Sequence, residues 1–171
     1  EELVTEAAGS LRFAYQPFGM QNHEVQRRLL IDMLRWIGAL PHPPRESKVV
    51  ALETALVQRK DATLAGVRFR WPGDSCTVSR EPRAVGGPVP LGALWDGRWR
   101  VTGGPGEVRA LGPEGLRQVT DWRKAGLPRQ VLEVTPGVWQ GDSLLAAPLA
   151  GFRAGYVARL EPAFHLFGLS H

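Results

Sequence analysis

The sequence changes in character close to residue 61, and this change limits the folds that the chain can adopt. Before it, apolar residues recur at spacings of three and four, as in amphipathic helices. After Asp61, Gly and Pro recur every few residues, and Val, Phe, Trp and Thr replace helix formers. We therefore predict an α+β protein with a helical hairpin in residues 1–60, followed by a mixed small domain of short strands and hairpins in residues 61–171.

The first predicted helix covers residues 23–40, with Asn22 as its N-cap. Prolines in the segment 41–44 end it, because they remove amide donors and disfavour the α conformation before them. A second helix is expected from Pro44 to about Lys60, which would complete an αα-hairpin. The expected apolar stripes are Val25, Leu29, Met33, Trp36 or Ile37, and Leu40 in the first helix, and Val49, Leu52, Ala55 and Leu56 in the second.

Strands and tight turns are predicted for the second half. Apolar and arginine residues alternate in the segment 67–71, so Val67, Phe69 and Trp71 should share one face of a strand. A strand is also indicated near residues 11–15, and short helices at 114–120 and 128–134. Hairpin turns are expected at Trp71-Pro72-Gly73-Asp74, Trp95-Asp96-Gly97-Arg98, Trp139-Gln140-Gly141-Asp142 and Gly103-Gly104-Pro105-Gly106.

No constellation of residues indicates an active site. The glycine-rich segment 103–106 lacks the Lys-Ser/Thr that follows in a P-loop, and the single cysteine, Cys76, is expected to be a buried strand residue. His23, His42, His165 and His171 do not have metal-ligand spacing. We therefore predict neither a metal site nor a catalytic residue in this chain.

Arginine dominates the basic residues. Lys48, Lys60 and Lys124 are the only lysines, which leaves 18 arginines among 21 basic residues and a net charge of +4. Arginine pairs with phosphate and stacks on bases, so an arginine-rich domain is a candidate for RNA contact. The alternative is that the tryptophans form the core and the arginines only solvate the outer face. The candidate RNA-binding residues are Arg68, Arg70, Arg80, Arg83, Arg98 and Arg100.

The sequence has no run of about 18 apolar residues and no signal-peptide pattern, so we expect a soluble cytoplasmic protein without a membrane partner. The chain begins at Glu1, not at methionine, and we expect it to be part of a longer gene product. DNA is not an expected partner.

An ordered series of short motifs resembles one known family. The chain resembles the region that follows the catalytic domain in alphaproteobacterial tRNA(Ile)-lysidine synthetases, and the resemblance covers nearly its whole length. Each motif is short, so their order carries the resemblance. The motifs are Leu34-Arg35-Trp36-Ile37-Gly38, Pro43-Pro44-Arg45, Ala62-Thr63-Leu64-Ala65-Gly66, Arg80-Glu81-Pro82, Leu94-Trp95-Asp96-Gly97-Arg98, Thr135-Pro136-Gly137-Val138-Trp139 and Leu144-Leu145-Ala146-Ala147-Pro148.

The resemblance implies a role in tRNA modification. The family uses ATP to attach lysine to C2 of the wobble cytidine in the CAU anticodon of tRNA(Ile). The resemblance places ATP and Mg²⁺ in an N-terminal domain whose Ser-Gly-Gly-x-Asp-Ser loop has no match here, so no catalytic residue carries over. It implies a helical tRNA-binding domain up to about residue 60 and an α+β domain that helps select the tRNA. This chain is then expected to be inactive by itself and to work with its own N-terminal catalytic domain.

A protein-interaction module is the alternative function. In that case the apolar stripe of the first helix, with Trp36, would pack against a partner domain or a second copy in a homodimer. Salt dependence separates the two functions, because RNA binding weakens steeply as salt rises.

Overall fold

The computed structural model describes residues 2–167 and confirms a mixed α+β fold. The chain forms two compact units. Residues 1–81 together with 164–171 belong to the first unit, and residues 82–163 to the second. No helix in residues 2–167 is long and apolar enough to span a membrane.

The first unit is built on one antiparallel five-stranded sheet. Its order is β1-β2-β5-β4-β3, so the two N-terminal strands pair with the strands that follow the helices. Leu11 lies opposite Val78 and Phe13 opposite Cys76, and all four side chains are buried. The strands are β1 (Thr5–Ala7), β2 (Ser10–Ala14), β3 (Ala62–Leu64), β4 (Val67–Arg70) and β5 (Ser75–Arg80).

Three helices connect β2 to β3. They are α1 (Tyr15–Gly19), α2 (His23–Gly38) and α3 (Glu46–Val57). The predicted cap is confirmed, because Asn22 Oδ1 accepts a hydrogen bond from the Val25 amide at 2.9 Å. α2 ends two residues earlier than predicted, where Ala39 turns left-handed with a φ of 51°. Its buried face is centred on Leu30, Met33, Leu34 and Ile37, slightly rotated from the predicted stripe, because this face lies against β4 and β5.

The division between the compact units differs in position from the predicted boundary at residues 60 and 61. It follows Glu81, because β3, β4 and β5 complete the sheet that β1 and β2 begin. The segment before residue 61 is therefore not purely helical. A tRNA-binding role for residues 1–60 stays a prediction.

The second unit contains two smaller antiparallel sheets. One has the order β11-β10-β9-β6 and the other β12-β8-β7. Short helices lie between the strands, close to where the sequence predicted them. The elements are β6 (Val89–Pro90), β7 (Leu94–Trp95), β8 (Trp99–Thr102), β9 (Glu107–Ala110), α4 (Gly112–Arg117), α5 (Arg129–Leu132), β10 (Pro136–Gln140), β11 (Ser143–Ala146) and β12 (Val157–Leu160); α6 (Phe164–Phe167) returns to the first unit.

The three tryptophan-led turns are confirmed as hairpins. They join β4 to β5, β7 to β8 and β10 to β11. The prediction of a hairpin at the segment 103–106 is wrong. β8 and β9 do not pair with each other, and this segment carries the chain from one small sheet to the other. The sequence could not reveal this, because a glycine-rich turn serves both kinds of connection.

Candidate nucleic-acid interface

The six arginines predicted to contact RNA fall into two groups. Arg68, Arg70 and Arg80 lie in the sheet of the first unit, and Arg83, Arg98 and Arg100 lie in the second unit.

In the first unit, the predicted arginines are half-buried residues of β4 and β5. Val67 and Phe69 are fully buried, as their alternation with the arginines predicted. Arg70 Nη1 donates to Asp61 Oδ2 at 3.3 Å, and Arg80 Nη1 donates to the Gly66 carbonyl at 3.2 Å. These guanidinium groups are therefore already engaged with protein oxygens.

In the second unit, Arg83 is exposed but Arg98 is only 4% exposed. Arg98 follows the turn residues Asp96 and Gly97, which both have positive φ. Its amide donates to the Trp95 carbonyl at 3.0 Å, which closes the turn. Buried in this way, the Arg98 side chain is not presented to an RNA surface. Arg98 belongs to the turn and not to β8, so it does not lie on that strand with Arg100.

The outer face of β8 and β12 is the best candidate interface. We call it the arginine face; it comprises Arg100, Thr102, Val157, Arg159 and Glu161, which surround a hollow of about 110 Å³. The register of the two strands places Arg159 directly opposite Arg100. Two guanidinium groups on neighbouring strands can contact successive phosphates of an RNA backbone.

Glu161 holds one of these arginines in place. Arg100 donates from Nε and Nη2 to the two oxygens of Glu161 at 2.8 and 3.0 Å, and from Nη1 to the Gly92 carbonyl at 2.7 Å. The hydrogen bond from Arg100 lowers the pKa of Glu161 below its ordinary value. Arg159, in contrast, is exposed and makes no salt bridge within residues 2–167; it attracts Glu161 only at longer range, which also lowers the pKa of that carboxyl, so its guanidinium donors are open to a ligand.

Sequence reasoning missed Arg159. The available signal was the short apolar segment Val157–Leu160, in which Arg159 is the one charged residue. It covers only four residues between Gly155 and a proline, too short a pattern to indicate a strand without the partner β8.

Most tryptophans of the second unit are core residues. This is what the alternative interpretation predicted, in which tryptophans form the core and arginines only solvate the outer face. Trp95, Trp99 and Trp139 are at most 3% exposed. Two arginines cover tryptophan rings from outside: the Arg109 guanidinium lies 4.2 Å from the centre of Trp139, and that of Arg123 lies 4.6 Å from the centre of Trp122. These cation–π contacts fix the arginines at the surface.

A second site lies in the first unit, where α2 and α3 share a charged cluster. Glu53 is 16% exposed and accepts hydrogen bonds from Arg27 Nε and His23 Nε2, both at 2.6 Å. Burial raises the pKa of Glu53, but the hydrogen bonds from Arg27 and His23 outweigh it and leave the pKa below its ordinary value. Glu53 is therefore ionised near neutral pH and links the two helices.

Beside this cluster is an aromatic pocket of about 630 Å³. Its apolar floor includes Phe13, Phe18 and Trp71, and its rim contains exposed or half-buried residues. The rim residues are Tyr15, Gln16, Gly19, Met20, His23, Gln26 and Val57.

Within residues 2–167, Cys76 and the histidines belong to no cluster of potential metal ligands. Cys76 is fully buried, as predicted, and burial raises the pKa of its thiol to about 12, so the nucleophilic thiolate is absent near neutral pH. Residues 2–167 contain no group of three potential metal ligands. His171 lies outside the described residues.

Trp36 bears on the alternative function as a protein-interaction module. It is 3% exposed, and its ring meets Phe164 edge-on at 5.3 Å between centroids. Trp36 is thus part of the core of the first unit and is not an exposed anchor for a partner.

Comparison with known proteins confirms the resemblance predicted from the motifs. The chain is 43% identical over 156 residues to tRNA(Ile)-lysidine synthase from Ruegeria pomeroyi. The alignment covers 86% of this chain but 37% of the relative, so the chain spans little more than a third of that protein's length. No protein-family model matches the sequence, and no solved structure matches it either.

Proposed function

We propose that this chain, similar in sequence to part of a tRNA(Ile)-lysidine synthase, is the C-terminal tRNA-recognising portion of such an enzyme. The observation that carries the proposal is the 43% identity over 86% of the chain. The complete enzyme would use ATP to attach lysine to C2 of the wobble cytidine in the CAU anticodon of tRNA(Ile). Its nucleotide chemistry would belong to an N-terminal catalytic domain, and this portion would supply binding without catalysis.

The arginine face supports this role. Arg159 offers an open positive charge, while Arg100 is oriented by Glu161 on the neighbouring strand. Phosphate contacts of this kind position an RNA without reading its sequence. Selection of one tRNA would then depend on the positions of its backbone phosphates, which the shape of the tRNA body determines. Contacts remote from the anticodon raise discrimination because specificity is a difference between two binding free energies.

Binding of the folded chain to tRNA(Ile) with a CAU anticodon tests the proposal. Elongator methionine tRNA, which shares this anticodon, is the competitor. We expect tighter binding to tRNA(Ile) and affinity that falls steeply between low and physiological salt. A folded chain that binds neither tRNA at low salt would contradict the proposal. A chain that forms dimers but does not bind RNA would favour the interaction module.

Arg159→Gln tests the arginine face. We expect affinity for tRNA(Ile) to fall about three- to tenfold, with a salt slope smaller by about one, as for the loss of one phosphate contact. Arg153→Gln is the matched control, because Arg153 is an exposed arginine of the same unit outside this face. Equal losses of affinity in the two variants would show that binding depends on net charge and not on the arginine face.

A further inference from the structure

The aromatic pocket of the first unit has the composition of a site for a flat, partly polar ring. Phe13 and Trp71 meet edge-to-face with 5.7 Å between centroids, and Tyr15 meets Trp71 at the same distance. Phe13 is only 2% exposed, so the half-buried rings of Tyr15 and Trp71 are the ones on which a base can stack. The volume of about 630 Å³ lies within the usual range for pockets that take small organic groups.

The rim adds polar groups that an aliphatic ligand would leave unused. Gln16 is exposed and its side chain makes no hydrogen bond within residues 2–167, so its amide is free to pair with the edge of a base. Gln26 and His23 lie on the same rim, but Gln26 Nε2 already donates to the Gly19 and Gln21 carbonyls, and His23 Nε2 is bonded to Glu53. Glu53 is held ionised beside them by Arg27.

A positive charge lies against Tyr15, one of the residues that line the pocket. The Arg59 guanidinium lies 4.0 Å from the centre of the Tyr15 ring, and its Nη1 donates to Asp74 at 2.9 Å. Asp74 is 93% exposed, so this ion pair is screened by water and opens at small cost. Arg59 is therefore available to a phosphate attached to a nucleotide whose base enters the pocket.

We infer that this pocket binds an unpaired nucleobase of RNA, stacked on its aromatic wall and bonded at its edge by the Gln16 amide. The inference rests on the proposed function, because that function identifies RNA as the partner. It also extends that function, since the arginine face contacts backbone alone, whereas a pocket of this kind requires an unstacked base. Duplex RNA offers no such base.

The two methionines of the chain allow a direct test by NMR. Met20 lines the rim and is 83% exposed, whereas Met33 is fully buried in the core of the same unit. In a chain labelled with ¹³C-methyl methionine, a stacked base should shift the Met20 resonance through its ring current and leave Met33 unchanged. The probes are a single-stranded adenylate hexamer, a blunt RNA duplex of equal length and tRNA(Ile).

Two substitutions close or charge the pocket. Gly19→Leu fills it without strain, because a Cβ at Gly19 meets nothing within 4 Å. Val57→Glu adds a negative charge at the rim, and Val50→Glu adds the same charge at an exposed site of α3 outside the pocket. We expect the first two variants to weaken hexamer binding about tenfold or more, as for loss of one stacked base, and Val50→Glu about twofold or less.

Each outcome decides the inference separately from the proposed function. A Met20 shift with the hexamer that Gly19→Leu removes supports the pocket, even if tRNA(Ile) is not preferred and the proposed function fails. A chain that binds tRNA(Ile) without moving Met20 overturns the pocket and leaves the proposed function intact. A Met20 shift caused by protein concentration alone would assign the pocket to a second copy and overturn the inference. If Gly19→Leu does not fold, the hexamer titration of the wild-type chain together with Val57→Glu decides.

Discussion

The two compact units bury their apolar residues in different ways. In the first, one long helix, α2, lies against a five-stranded sheet, and the core is made of residues such as Met33, Ile37 and Phe69. In the second, two small sheets and short helices form two separate clusters, each containing tryptophan. We therefore expect the stability of the first unit to depend mainly on side-chain packing. The stability of the second unit should depend also on close backbone contacts at its turns.

The connection between the small sheets illustrates this second dependence. Gly103 has a φ of 135°, and a Cβ added there would lie 2.6 Å from the Gly155 carbonyl oxygen. A hairpin in the first unit makes fewer such demands: Gly73, in the turn between β4 and β5, has open space around its Cα. Glycine permits this close approach because it has no Cβ and adopts a positive φ without a steric penalty.

The largest effect is expected from removing a core ring of the first unit. Phe69→Ala should destabilise that unit by about 3–5 kcal/mol, because it leaves a cavity beneath α2. Hydrogen exchange measured by mass spectrometry should show lost protection in β2, β4 and β5. Val57→Ala, at a side chain that is 67% exposed, is the control and should cause little change. Equal loss of protection in residues 82–163 would show that the two units do not unfold separately.

The matching test in the second unit changes a turn. Gly103→Ala should destabilise this unit by about 2–4 kcal/mol, because alanine disfavours the backbone conformation and its Cβ meets backbone atoms that cannot move aside. Urea unfolding followed by the fluorescence of its tryptophans measures the loss. Gly87→Ala, where a Cβ would meet nothing within 4 Å, should stay within about 0.5 kcal/mol of the wild type. If Gly103→Ala unfolded at the same urea concentration as the wild type, the stability of this unit would not depend on the close backbone contact at Gly103.

A smaller effect is expected at the charged cluster of the first unit. Glu53→Gln should cost about 1–2 kcal/mol at neutral pH, because Arg27 and His23 lose their charged acceptor. The folded pKa of Glu53 is lowered, so its contribution is full above the unfolded pKa and disappears as pH falls through the folded one. The unfolding free energies of the wild type and Glu53→Gln should differ at pH 7 and converge as the pH falls well below 4.5, the ordinary pKa of a glutamate. A difference that stays constant with pH would contradict this role of the carboxylate.

The smallest effect is expected at the surface of the second unit. Arg129 Nε donates to Glu133 at 2.7 Å across one turn, with the Arg129 side chain 57% exposed. Glu133→Gln should therefore cost no more than about 0.5 kcal/mol, and added salt should reduce the difference further. Thermal unfolding at low and high salt gives both values. A loss above about 1 kcal/mol would contradict this expectation, because it would mean that this exposed ion pair stabilises the unit more than exposed ion pairs usually do.

Local sequence determined the helices and most turns of this protein. Asn22 and the prolines at 41–44 bracket α2 because capping and loss of amide donors act within a few residues. The tryptophan-led turns formed hairpins, and the alternation at 67–70 gave a strand with a buried face. The ordered motifs also predicted the relationship to tRNA(Ile)-lysidine synthase, which the 43% identity confirms.

Tertiary structure decided how these pieces combine. Whether β1 and β2 pair with β5, and whether the chain leaves β8 for a second sheet, depends on long-range hydrogen bonds that no local pattern specifies. The same holds for the candidate sites. Arg98 became buried and Arg159 became an exposed neighbour of Arg100 through the turn and the strand register around them. The aromatic pocket formed because β2, α1 and the turn after β4 brought distant rings together.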